Sequence, residues 1–184
     1  HHPYSKTSAT EAYPPNVALC KKILLPLGIH FKEVDVKEAL PFDDNQFDIV
    51  INRHGSINEK EIYRILKPNG IFITEQVGAE NDRGLVELLY ENSPKLPYPE
   101  EYVAIAKEKF KNAGFSILHA QEAFRPIYFY DVGALVWFAK VLPWEFPNFS
   151  VKNNLKGLYK AQKQLERKGF VEAQIHRYLL IAKK

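Results

Sequence analysis

The sequence predicts an α/β protein built on a largely parallel sheet. Short apolar runs alternate with segments of helical periodicity, the order that parallel βαβ units impose. Phe47 to Asn52 is nearly continuously apolar, the pattern of a central strand covered on both faces. Polar residues stand at the ends of the expected strands (Glu11, Asp35, Asn52), the side of an open α/β sheet where ligands bind.

The elements follow in order. Ser5 to Thr10 reads as a strand ending at Glu11. Pro14 and Pro15 then open a helix, where proline is tolerated because the first N–H groups lack partners. Val17, Cys20, Leu24 and Leu27 recur at helical spacing until Pro26 and Gly28 stop the run. His30 to Val36 alternates as a strand does. After Phe47–Asn52, Asn58 and Glu61 form a capping-box-like pair for a helix from Glu59 to about Leu66, with Ile57 and Ile62 as a hydrophobic staple. Pro68-Asn69-Gly70 is a turn into a second buried strand, Ile71 to Val77.

Leu85 to Tyr90 is a short helical piece. Glu100 to Ala113 is helical, with Tyr102, Ile105, Ala106 and Phe110 on one face and Gly114 as its cap. Phe115 to Arg125 is a strand. Asp131 caps a helix through Leu142, and Val151 to Leu165 marks another, closed by Gly169. Phe170 to Ala182 is a long final strand. Nothing repeats, so residues 1–184 read as a single domain, with 126–150 inserted between the last two strands.

The chain has 184 residues, 46% hydrophobic and 26% charged, enough for one real core. No apolar run reaches the roughly 18 residues of a membrane span. A net charge of +3 without a basic stripe favours a small-molecule partner over nucleic acid. The single cysteine, Cys20, leaves no internal disulfide and suits a reducing, cytoplasmic compartment. No metal-ligand spacing occurs. The chain contains no methionine, which is unusual at this length and fits either a fragment or a sequence from which selenomethionines were dropped.

The segments ATEAYPPNVAL, LPFDDNQFDIVINRHGSI and EIYRILKPNGIFITEQVG, in this order and spacing, resemble the class I S-adenosylmethionine-dependent methyltransferases of the type 11-like group. The resemblance is best over Ser5 to Val77. It implies a Rossmann-like, mostly parallel seven-stranded sheet whose last strand enters antiparallel. This chain supplies candidates for six of those strands. The first, central strand and its glycine-rich loop are the expected omission. That would leave Ser5–Thr10 and Phe47–Asn52 with unpaired edges, to be filled by a further segment or by another chain, as in a homodimer.

The resemblance also assigns roles. S-adenosylmethionine is the implied cofactor. Glu11, with Ala12 beside it, would accept hydrogen bonds from the ribose hydroxyls; otherwise Glu11 is a loop carboxylate favoured by a helix N-terminus. Asp35 would accept from the adenine amino group, with Val36 packing on the ring; otherwise Asp35 is an exposed turn residue. Asn52 and Arg53 would meet the methionine end of the cofactor, unless Arg53 makes only a structural ion pair. His54 would serve as general base, its ordinary pKa lying near neutrality, or else would cap the following loop. Gln76 is a candidate substrate contact or a buried amide satisfied by its neighbours.

The aromatic residues of 126–150, Tyr128 and Trp144 among them, would roof the acceptor site, or form ordinary core for the inserted helix. Two rivals remain: an NAD-dependent oxidoreductase, against which the LPF-acidic-FD segment argues, and a non-catalytic, degenerate methyltransferase-like binding module.

Overall fold

The structure, a computed structural model, describes residues 3–35 and 38–184. Val36, expected beside the cofactor, lies outside the described residues. Among the described residues, six strands and six α-helices follow in the order β1 (Ser8–Glu11), α1 (Pro14–Leu24), β2 (His30–Glu33), β3 (Phe47–Arg53), α2 (Glu59–Ile65), β4 (Leu66–Val77), α3 (Arg83–Leu89), α4 (Val103–Asn112), β5 (Ser116–Phe129), α5 (Val132–Val141), α6 (Leu155–Lys168) and β6 (Val171–Lys183).

The strands form two sheets. β1 pairs with β2 in parallel, and the second sheet has the order β3-β4-β6-β5. β3 and β4 are parallel, while β6 runs antiparallel to both β4 and β5. The antiparallel last strand is therefore present. So is the break where a central strand was expected, since β1 and β3 share no strand pairing with each other.

Local details depart from the sequence reading in several places; β5, for one, runs on to Phe129 rather than ending at Arg125, so that Tyr128 lies in the strand. Tyr4–Lys6 is a 3-10 turn, so the first strand begins at Ser8 rather than Ser5. β2 stops at Glu33, leaving Asp35 in the following loop. Pro68-Asn69-Gly70 lies inside β4 as a bulge: the register slips between Phe47↔Leu66 and Ile49↔Ile71, and Asn69 takes a positive φ of 67°. Finally, β3 is not covered on both faces. Ile49 and Ile51 are 47% and 71% exposed, because β3 is an edge strand here and these side chains face the gap.

Two cores flank the larger sheet. In one, Phe72, Leu180 and Ala182 of the strands meet Ile62 of α2 and Phe110 of α4, with Phe72 stacked on Phe110 at 5.2 Å. In the other, Leu85 and Leu89 of α3, Leu135 and Ala139 of α5, and Leu158 and Ala161 of α6 cover Val171 and Ala173. This second core sits where the β5–β6 ribbon runs on past the end of β4: the β4–β6 pairing stops at Val77↔Arg177, whereas β5–β6 continues to Phe129↔Val171.

Gly157 permits the close packing of α6 on α3, since a Cβ there would stand 2.3 Å from the Leu89 carbonyl oxygen. Gly78 ends β4 against the His176 ring for the same reason, a Cβ falling 2.3 Å from it. Among the described residues, no helix is long and apolar enough to cross a membrane.

Candidate active site

A cavity of about 700 Å³ opens between β1 and β3 and runs along both strands to their carboxyl ends. Glu11, Ala12, Asp35, Asn52, Arg53 and His54 all line it. Six of the seven residues expected at the cofactor or as base are thus brought together by the fold; Val36 is the seventh. Gln76, Tyr128 and Trp144 are not among the lining residues.

Glu11 terminates β1 where the chain turns into α1. One carboxylate oxygen accepts from the backbone N–H groups of Ala12 (2.8 Å) and Tyr13 (2.9 Å), and the other from Asn16 Nδ2 (3.1 Å). The bond from Tyr13, with those from Asn16 and Ala12, outweighs desolvation and holds the carboxyl below its usual range. The group is therefore an oriented anion at neutral pH. A carboxylate offers about four acceptor sites, so three such bonds leave it able to accept from a ligand hydroxyl.

The opposite wall comes from the end of β3 and the loop that follows. Asn52 Oδ1 accepts from Gln76 Nε2 at 2.6 Å and from Thr74 Oγ1 at 3.4 Å, while its Nδ2 donates to the Ser56 carbonyl at 3.4 Å. Gln76 also donates to Thr74 Oγ1 (2.8 Å) and the Gly55 carbonyl (3.3 Å). It stands buried behind Asn52, fixing that amide and the 52–55 loop from β4.

Arg53 and His54 both turn to Glu75. Arg53 Nε lies 3.3 Å from Glu75 Oε2, and His54 Nε2 lies 3.4 Å from Oε1. His54 takes a positive φ of 53°, held there by its N–H donating to the Glu75 carbonyl at 3.0 Å. Desolvation, reinforced by the charges of Arg53 and Arg177, lowers the imidazole pKa despite the pull of Glu75. Burial pulls the Glu75 carboxyl up, but its bonds to Arg53 and His54 prevail and hold it low. At neutral pH His54 is a neutral imidazole able to take a proton.

The segment 126–150 packs elsewhere. Phe129 and Phe146 are buried in the second core, whereas Tyr128 and Trp144 are 43% and 51% exposed. Tyr128 meets Phe170 edge-on at 5.1 Å. The sequence reading missed Leu40 and Phe42 as cavity walls, although it singled out their segment as a motif. It also missed a buried carboxyl pair, Asp82 and Glu145, joined through Asn81. Its signal is faint, because acids in loops are ordinarily solvated. Among the described residues, no cluster of acidic, histidine or cysteine side chains could hold a metal ion.

The fold has known counterparts. The chain superposes on a protein of Bacillus halodurans C-125 assigned to the methyltransferases (TM-score 0.61, 15% identity, covering 96% of this chain and 82% of that one). It superposes likewise on the YcgJ protein of Bacillus subtilis (TM-score 0.56, 15% identity, 96% and 81%). A phosphoethanolamine N-methyltransferase of Haemonchus contortus, solved with phosphomonomethylethanolamine and S-adenosylhomocysteine, shares the fold at a TM-score of 0.50 and 15% identity, covering 97% of this chain and 44% of that one. No curated relative matches the sequence. The fold is that of the class I methyltransferases. Residues 2–74, which carry β1 to most of β4 and every lining residue named above, match the methyltransferase-domain family.

Proposed function

We propose that this protein binds S-adenosylmethionine in the cavity between β1 and β3 and transfers its methyl group to a small-molecule acceptor. One observation carries the reading: a single cavity is lined on the β1 side by an ionised carboxylate, Glu11, and on the β3 side by a neutral imidazole, His54, with Asn52 and Arg53 beside it. The match over residues 2–74 and the shared fold support it.

Glu11 would accept the ribose hydroxyls, its carboxylate already aimed by the Ala12, Tyr13 and Asn16 donors. Asp35 also lines the cavity and would accept from an exocyclic amine. Arg53 would face the carboxylate of the methionine end, where a planar guanidinium gives bidentate recognition. When bound, the cofactor supplies a methyl carbon already activated by its sulfonium. What the chain must add is orientation, which lowers the barrier by placing the acceptor in line. His54, neutral and backed by Glu75, would take the proton that an oxygen or nitrogen acceptor releases.

The test is calorimetry on the full-length protein with S-adenosylhomocysteine, run beside a fluorescence titration with NADH. Binding of the first but not the second is expected. Binding of NADH alone would establish the oxidoreductase reading. Binding of neither would leave a non-catalytic module.

A further inference from the structure

One wall of the cavity has little regular structure of its own. Leu40 and Phe42 belong to residues 38–46, ahead of β3, which form neither helix nor strand, yet both line the cavity, as Asp35 does. A segment of this kind is held by bonds from elsewhere or not at all. Here the bonds converge on one side chain.

Arg64, in the last turn of α2, donates from Nη1 to the Phe42 carbonyl at 2.7 Å and from Nη2 to the Leu40 carbonyl at 2.9 Å. Nη1 also reaches Asp44 Oδ1 at 2.8 Å. The same guanidinium grips Glu61, one turn earlier, from Nε (2.9 Å) and Nη2 (2.8 Å). Glu61 Oε2 in turn accepts the Leu40 N–H at 2.8 Å. Leu40 is thus held by both its carbonyl and its amide, through two side chains that hold each other.

Below the clamp the backbone continues the attachment. Asn45 N–H donates to the Arg64 carbonyl and Gln46 N–H to the Ile65 carbonyl, at 2.9 and 2.8 Å. Phe42 is fixed further by the edge of Phe47 at 4.8 Å and by the Lys32 ammonium 5.0 Å from its ring centre. The Glu61 and Asp44 bonds raise the guanidinium's already high pKa, so the clamp stays charged at any working pH. The sequence suggested that Glu61 would reach back to cap α2. Instead Asn58 caps Glu61 N–H at 3.2 Å, and the Glu61 carboxylate is spent on Leu40 and Arg64.

We infer that Arg64 and Glu61 are positioning residues for the base end of the bound nucleoside, shaping the Leu40–Phe42 wall against which a flat purine lies. This rests on the cofactor reading above. The geometry requires the arginine fork. A lysine ammonium has charge and reach, but it cannot bind a carboxylate in bidentate fashion while donating to two separate carbonyls.

The test uses the full-length protein with S-adenosylhomocysteine and adenosine as probes, in Arg64→Lys, Glu61→Gln and Asp44→Ala variants. Arg64→Lys should weaken both probes by the same factor, about tenfold, the size expected for losing charge-assisted bonds. Its melting temperature should stay well above that of the assay. Glu61→Gln should weaken both in parallel but less. Asp44→Ala removes a surface partner of Arg64 that does not line the cavity, and should leave both affinities unchanged. Faster amide exchange at Leu40 in the unliganded Arg64→Lys protein would accompany the loss.

If the wild type binds S-adenosylhomocysteine and Arg64→Lys binds it equally well, the inference is overturned while the cofactor reading stands. If Asp44→Ala weakens binding as much as Arg64→Lys, the effect is general loosening and the inference also fails. If the wild type does not bind the probe at all, the cofactor reading itself is wrong.

Discussion

Glu11 performs two tasks with one carboxylate. It accepts the first N–H groups ahead of α1, which fixes where β1 ends and the helix begins, and it faces the cavity. The two readings open in the sequence were a loop acid near a helix start and a ligand for ribose; the geometry makes them compatible, since the first bond aims the group for the second. Glu11→Ala should weaken S-adenosylhomocysteine binding by roughly 1.5–3 kcal/mol, the range for a hydrogen bond to a charged group. Asn16→Ala, which removes only the bond to the second oxygen, should cost less. An unaltered dissociation constant in calorimetry for Glu11→Ala would take Glu11 out of the site. At the same scale, Gln76 shows how far identity alone carries: a polar residue was expected at the end of β4, but only the fold shows its amide engaged on Asn52, Thr74 and Gly55.

At the scale of elements, the inserted region is fastened by a buried acidic pair. Asp82, 1% exposed, opens α3, and Glu145, 5% exposed, lies just after α5. Asn81 hydrogen-bonds both carboxyls and accepts from Arg177 Nη1 at 2.6 Å. One guanidinium faces two carboxyls, and Asp82 Oδ1 has no hydrogen-bond partner. Burial pushes Asp82 up to about 6. Burial, and then the charge of Asp82, push Glu145 up to about 7.

Both groups bind protons more tightly folded than unfolded, so the unfolded chain loses its protons first as pH rises. Stability from this pair is complete below the ordinary carboxyl range and is lost progressively up to about pH 7. The melting temperature should fall between pH 5 and pH 8 in the wild type. Glu145→Gln should flatten that slope and stabilise the fold at pH 8 by an amount on the order of 1–2 kcal/mol. Parallel wild-type and variant curves would show that Glu145 is already ionised in the folded state.

The neighbouring Trp144 is half-exposed, while Phe146 is buried. Trp144 does not line the cavity, so Trp144→Ala should lower the melting point little and leave S-adenosylhomocysteine affinity unchanged, whereas impaired acceptor turnover in the folded protein would make this region a roof over the acceptor. A sharply lowered melting point with unchanged binding in the folded fraction would make it plain core.

For the whole molecule, the consequential feature is the break between the sheets. β1 and β3 each have one hydrogen-bonded neighbour, and the surfaces beside them are apolar: Leu19 and Ile23 of α1 and Ile49 and Ile51 of β3 are each about half exposed or more. Unpaired edges backed by apolar surface invite pairing with further chain. Residues 1–184 expressed alone should therefore self-associate and bind S-adenosylmethionine poorly. Analytical ultracentrifugation beside calorimetry checks this. A well-folded monomer of these residues with micromolar affinity would show that the break is closed by means other than an added strand.

The sequence by itself determined most of the strands and helices, their order, and the polar residues Glu11, Asn52 and Arg53 at strand ends, with Asp35 and His54 just beyond them. These are local matters: periodicity, proline and glycine punctuation, and polar residues following apolar runs are set by neighbours along the chain. It did not show that Ile49 and Ile51 are exposed, because an apolar run looks the same whether both faces are covered or one borders a gap. It did not show that Arg64 and Glu61 hold the Leu40–Phe42 wall from 20 or more positions away. Nor did it show that Asp82 and Glu145 share one buried site, or that His54 lies within the field of Arg177. Those relations depend on distances between residues remote in sequence. Burial then gives such charges an energy that no count along the chain contains, so only the tertiary structure decided them.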